Sequence, residues 1–97
     1  MRRIIWSIRA RQDIAQIDQY LSAHDPHAAV RILTAIRTRA MMLADFPLIG
    51  PSFDGEIRRL SITRTNYILF YMSRRNDIEV LSIRHVRENW SVMGEDS

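Results

Sequence analysis

Ninety-seven residues, 46% of them hydrophobic and 26% charged, are enough for one small domain with its own core and too few for two. The chain has no cysteine, which excludes a disulfide framework, a thiolate metal site and a cysteine nucleophile. All fourteen basic residues are Arg, and residues 57–90 hold seven of them against three acids, a balance of +4 that suits nucleic acid or an acidic protein as partner.

In chain order, Arg3 to Ile8 is rich in Ile and Trp and predicts a short strand. From Ala10 the period changes: Ala10, Ile14, Ile17 and Leu21 recur at three- and four-residue steps, with Arg11, Asp13, Gln16 and Gln19 between them, an amphipathic helix of about three turns capped by Ser7. Asp25 followed by Pro26 starts a second helix, because the carboxylate accepts from first-turn amides and Pro loses no bond at that position. Its apolar stripe is Ala29, Ile32, Ile36, Ala40 and Leu43, widened by Val30, Leu33 and Met41, and Pro47 is the expected stop. So short a connection makes the two helices an antiparallel hairpin. Residues 46–55, with two Pro and two Gly, read as loop. Ile57 to Ile62, Asn66 to Ser73 and Ile78 to Val86 then read as strands with short connectors, and Asn76 and Asp77 suit a tight turn. The predicted fold is α+β, one domain over 1–97 in the order β-α-α-β-β-β, with the helical hairpin on one face of a mainly antiparallel four-stranded sheet. The longest apolar run, Tyr67 to Met72, is far short of a membrane span, and the N-terminus has no signal-peptide pattern, so a cytoplasmic chain without membrane association is expected.

Several tracts together resemble one family. Ala10-x-x-Asp13-Ile14-x-x-Ile17-x-x-Tyr20-Leu21 is similar to the first helix of the RelE/ParE superfamily of bacterial toxins. Ala28-Ala29-x-x-Ile32 through Leu43-x-x-Phe46-Pro47-x-x-Gly50 resembles its second helix and following loop. Ile57-Arg58-x-Leu60, Tyr67-x-Leu69-Phe70-Tyr71 and Val80-Leu81-x-Ile83-x-His85-x-Arg87 resemble its last three strands, so the likeness runs in order from about residue 3 to 88. The first helix and the Phe-Pro-x-x-Gly piece look ParE-like. The chain departs from that branch in having Ile68 and Ser82 where Arg is frequent, and Arg84 where an apolar residue is common. The resemblance implies the toxin of a type II toxin–antitoxin module that inhibits DNA gyrase by binding and is neutralised by a cognate antitoxin. The alternative it implies is a RelE-like endoribonuclease acting on mRNA at the ribosome, and a third reading is an inactive member kept for complex formation.

RNA cleavage needs groups to move protons and cations around the phosphate, and the residues available for it are Glu56, Arg58 and His85. The cleaving branch commonly has a late Tyr or a denser Lys and Arg set, whereas here Val86 follows His85 and the only late aromatic is Trp90. His24 and His27 flank a helix start with no third ligand in view, so no metal is assigned, and nothing suggests a cofactor. Tyr67 and Tyr71 share one strand face with Leu69 and are assigned to packing, and Met41-Met42 to core or antitoxin contact. Arg58 and Arg59 point to opposite faces of their strand, so the one under the helices must be paired. With Arg64, Arg74, Arg75, Arg84 and Arg87 they are expected to form a basic rim on the open side of the sheet. Target or antitoxin contacts are assigned to Arg58, Arg59, Arg84 and Arg87 on the rim and to Ile14, Ile17 and Leu21 beside an apolar groove.

Overall fold

A computed structural model describes residues 2–88, which places Trp90 and the acids Glu95 and Asp96 outside the described residues. The elements are β1 (Arg3–Trp6), α1 (Ile8–His24), α2 (Pro26–Met42), β2 (Ser52–Asp54), β3 (Ile57–Ser61), β4 (Tyr67–Ser73) and β5 (Asp77–His85). The sheet order is β1-β5-β4-β3-β2, with β1 parallel to β5 and every other pair antiparallel. The α+β prediction holds, and the sheet has five strands rather than four. The added strand, β2, is three residues between Pro51 and Gly55, too short to show a period. It exists because β3 offers an edge to pair with, in a register that shifts between Ser52 and Asp54. Gly55 makes the turn with φ 58°.

The helix starts follow local chemistry. Ser7 caps α1 by accepting from Ala10 N at 3.0 Å, which also ends β1 two residues ahead of the predicted end. Asp25 caps α2 by accepting from Ala28 N at 3.2 Å, with Pro26 in the first turn. The end of α2 departs from expectation. The helix stops at Met42 and tightens into three-residue turns through Leu43, Ala44 and Asp45, well before Pro47, with Leu43 fully buried in the core.

Helical and sheet residues meet in one core. Ala10, Ile17, Ile36, Ala40 and Leu43 pack on Leu60, Leu69, Tyr71, Ile78, Val80 and Ile83, with Ile14, Leu21, Ile32 and Tyr67 partly buried at its margin. Val30 and Met41, expected to widen the α2 stripe, stay exposed. A smaller cluster lies on the opposite sheet face, where Ile68 and Phe70 pack with Ile57 and Phe53, the two Phe rings meeting edge to face at 4.9 Å. Among the described residues other than glycine, the left-handed one is Arg64, φ 64°, and not Asn76 or Asp77. Among the described residues no helix is long and apolar enough to cross a membrane.

Candidate functional site

The site begins with an edge that β1 leaves uncovered. Pairing of β1 with β5 ends at Trp6 and Val80, where the chain turns into α1. Beyond that point the amides of β5 need other acceptors. A register shift in the β4–β5 pairing between Phe70 and Tyr71 skips Leu81, whose carbonyl accepts from Ser7 Oγ at 2.9 Å. Asp13 on α1 does the rest: its Oδ2 accepts from Ile83 N at 3.0 Å and from Ser82 Oγ at 2.8 Å, and its Oδ1 from Arg9 Nε at 3.3 Å. Asp13 therefore belongs to the buried frame, not to the solvated helix face expected for it. Periodicity alone hides this, because the need arises only where β1 stops.

With α1 held across the end of β5, a trough opens between that helix, the last residues of β5 and the start of β4. One half has a volume of about 380 Å³ and is lined from α1 by Arg9, Gln12, Gln16 and Tyr20, and from the sheet by Tyr67, Ile83, Arg84, His85 and Glu88. The other half, about 710 Å³, shares Tyr20, Tyr67 and His85 and adds Leu21, Arg31, Ile32, Arg64, Thr65 and Asn66. Tyr67 meets the His85 ring edge to face, 5.5 Å between centroids, and Tyr20 stacks on His24 at 4.3 Å. Burial, chiefly, raises the Tyr67 hydroxyl above the ordinary 10.0, and Tyr20 and Glu88 push it the same way. Tyr67 thus stays protonated at neutral pH and is available as a donor.

The predicted site residues are scattered. His85 is at the trough, where its amide donates to Glu88 Oε1 at 2.8 Å and its Nδ1 accepts from Arg87 N at 3.1 Å. Glu56 is at the other end of the sheet, next to Ile57, which pairs with Met72, whereas His85 pairs with Tyr67. Five β4 positions separate those rungs, about 17 Å along the strand, so Glu56 and His85 cannot address one phosphate together. Arg58 is half-buried on the helix side, with Nη1 donating to Gly50 O at 2.8 Å and Leu48 O at 3.4 Å. Arg59 is exposed on the other face, so the expected split between the two holds.

The single basic rim does not form. Arg84 is buried, 8% exposed, with Nη1 beside Glu88 Oε2 at 3.3 Å, the acid four residues on, where the chain turns after β5. Arg74 pairs with Glu79 at 2.6 Å at the far end of β5. Arg87 is exposed. Of the apolar candidates, Ile17 is buried in the core and its edge lines the smaller half of the trough, Leu21 lines the larger half, and Ile14 lines a separate apolar recess with Ile4, Trp6 and Met41. His24 Nδ1 lies 2.7 Å from Tyr20 O, its own helix. Tyr20, Arg31 and Glu88 were not singled out as site residues, and Arg64 was expected only as part of the basic rim; no local sequence signal marks the other three.

These observations meet independent likenesses. A family model for the ParE toxin of type II toxin–antitoxin systems, parDE, matches residues 4–90. The protein Y4kP of Sinorhizobium fredii (strain NBRC 101917 / NGR234) is 33% identical over 90 residues, covering 92% of this chain and 93% of that protein. Toxin RelE2 of Caulobacter vibrioides is 28% identical over 85 residues, 88% of this chain and 96% of that one. A chain solved for the chromosomal ParDE toxin–antitoxin system from P. aeruginosa shares the fold, with a TM-score of 0.77 at 20% identity over 88% of this chain and 96% of that chain. The order of elements, the matching family model and the extent of the likeness to Y4kP agree, and the chain belongs to the ParE toxin family of type II toxin–antitoxin systems.

Proposed function

We propose that this chain is the toxin of a type II pair, that it arrests replication in the bacterial cytoplasm by binding DNA gyrase without chemistry of its own, and that a cognate antitoxin neutralises it. The observation that carries the non-enzymatic part is the separation of Glu56 from His85, with Arg58 committed to the carbonyls of the 46–51 loop. A general acid and base must reach the same reacting group, and these do not. The ParE family match and the likeness to a chain of a ParDE system support the rest.

One arrangement favours the mRNA-cleaving alternative: His85, Tyr67, Glu88 and Arg84 line one recess. Inducible expression without the neighbouring gene separates the two. Filamentation, DNA damage and inhibition of gyrase supercoiling by the purified chain are expected, with His85→Ala as toxic as wild type. Rapid loss of translation with cut mRNA, and a loss of about 10²–10⁴ in cleavage rate in His85→Ala, would instead establish the ribonuclease.

A further inference from the structure

Of the two helices, α2 has no acid. Over Pro26–Met42 it carries Arg31, Arg37 and Arg39, and its cap Asp25 and the later Asp45 lie beyond its two ends. The side turned away from the core shows Arg31, Thr34, Arg37 and Thr38, all exposed. Arg31 and Arg37 are about 9 Å apart along the axis, and helical spacing puts Thr34 and Thr38 between them, one turn apart.

Recesses on the two flanks extend this stripe. On one flank a volume of about 530 Å³ is lined by Arg31, Arg39, Thr34, Thr38 and Thr63 beside two apolar side chains. Arg39 is held there by a bond from its Nε to Ser61 O at 3.0 Å. On the other flank Arg37 shares a recess of about 360 Å³ with Arg11 of α1, next to Trp6 and Met41. No acid lines either recess, and none of the four Arg is in an ion pair among the described residues. Asp18 of α1, two turns on from Arg11, accepts from Ser22 Oγ at 2.8 Å. Of the four Arg, Arg31 is the one that also lines the trough.

Four cations on both flanks of one helix, with hydroxyl side chains between them, match a polyanion of regularly spaced charges better than a single carboxylate. Arg and Thr are residue types that contact phosphate oxygens, and a duplex presents a charge every ~1.7 Å of its axis. No Phe, Tyr or Trp stands on α2, so an unstacked base finds no ring there, which favours a duplex over a single strand. The large apolar side chains exposed on α2 are Val30 and Met41, about 16 Å apart along the axis, and they form no continuous patch for an apolar peptide.

We infer that the outer face of α2, with Arg11 beside it, lies against the phosphate backbone of duplex DNA and reads no base. The choice of DNA rests on the gyrase reading above. A chain that touches both the enzyme and its DNA holds the two together.

The test measures binding of the purified chain to a labelled duplex of about 20 base pairs as salt is varied, beside inhibition of gyrase supercoiling. Four phosphate contacts give a log K that falls with log salt at a slope of about −3 to −4, alike for two unrelated sequences. Arg31→Gln combined with Arg37→Gln should weaken binding about tenfold or more and reduce the slope by about 2. Arg75→Gln, exposed on the connector between β4 and β5, should change neither. Thermal melts of the double variant should coincide with wild type, since both positions are exposed. Equal binding of wild type and the double variant overturns the surface. Tighter binding to the single strand of the same sequence overturns the duplex. Binding of polyglutamate and not of DNA through Arg31 and Arg37 gives the face to an acidic protein and overturns the inference. No DNA binding at about 50 mM salt, in a chain that still inhibits gyrase, overturns the inference and leaves the gyrase reading intact. DNA binding with the expected Arg dependence and no inhibition of gyrase supports this face and overturns that reading.

Discussion

The sheet residues that hold the 46–51 loop and those that line the trough are of the same types, Tyr and Arg, and are used in opposite ways. At the loop, Tyr71 is fully buried and its hydroxyl accepts from Gly50 N at 3.0 Å, while the Arg58 guanidinium is turned onto the loop carbonyls. In the trough, Tyr20 is 61% exposed and Arg31 and Arg64 stand in solvent. The difference is whether the polar tip has an internal partner. A satisfied tip pays for its own desolvation and fixes the chain, and an exposed tip with its stem on apolar surface is ready for an outside partner. The loop is thus a clasp that holds Phe46, Leu48 and Ile49 at the surface, and the trough keeps its polar tips in solvent.

The comparison breaks if the clasp tolerates change. Gly50→Ala is the most severe case: the new Cβ would collide with the Arg59 carbonyl oxygen, which belongs to paired backbone, and would lie 3.0 Å from the Tyr71 ring and hydroxyl. A loss of about 3 kcal/mol is expected, read as a fall of roughly 10–20 °C in Tm. A wild-type melting curve for this variant would mean that the loop is not held as described.

Tyr71→Phe is the next step down. It leaves the Gly50 amide buried without its acceptor, at about 1–2 kcal/mol by urea unfolding. It also sharpens the comparison through pH. Burial raises the Tyr71 hydroxyl above 10.0, against the opposing effects of the Gly50 bond and Arg58. The folded state therefore keeps a proton that the unfolded chain releases, so stability falls as pH rises above 10.0 toward the folded value. Tyr71→Phe should lessen that alkaline slope, leaving the part due to Tyr67, which is raised in the same direction.

Arg58→Met keeps the stem and loses the bonds to Gly50 and Leu48, for about 1 kcal/mol, with antitoxin affinity unchanged. At the trough the order reverses. Tyr20→Ala and Arg64→Asn should each change stability by less than about 0.5 kcal/mol, with antitoxin binding as the property that suffers. If Tyr20→Ala unfolds the chain, its ring is part of the frame and the contrast fails.

Much of the fold was legible because local rules and tertiary demands agree. Ser7 and Asp25 cap where their side chains reach the first-turn amides, and the stripe Ile17, Ile36, Ala40 faces the sheet as its spacing requires. Tyr67 and Tyr71 share a face with Leu69 as strand alternation demands. The candidate site was less legible. Glu56 and His85 are both suitable as proton carriers by type, but antiparallel register sends them to opposite ends of the sheet. Arg84 is one Arg among seven in the basic stretch, and only its neighbour Glu88 and its place at the trough make it a buried one.

By itself, then, the sequence determined the elements, their order, the buried helix stripes and the family, because those depend on periodicity and on contacts within a few residues. Tertiary structure decided β2, the tightening after Met42, the burial of Asp13 and the division of the Arg residues. Each of these depends on a group outside the local pattern: the β3 edge for Ser52, the uncovered amide of Ile83 for Asp13, Glu88 for Arg84. A lone residue type does not state what stands opposite it. In this protein, a buried hydrogen-bond partner is what separates the Arg and Tyr that hold the fold from those that face solvent.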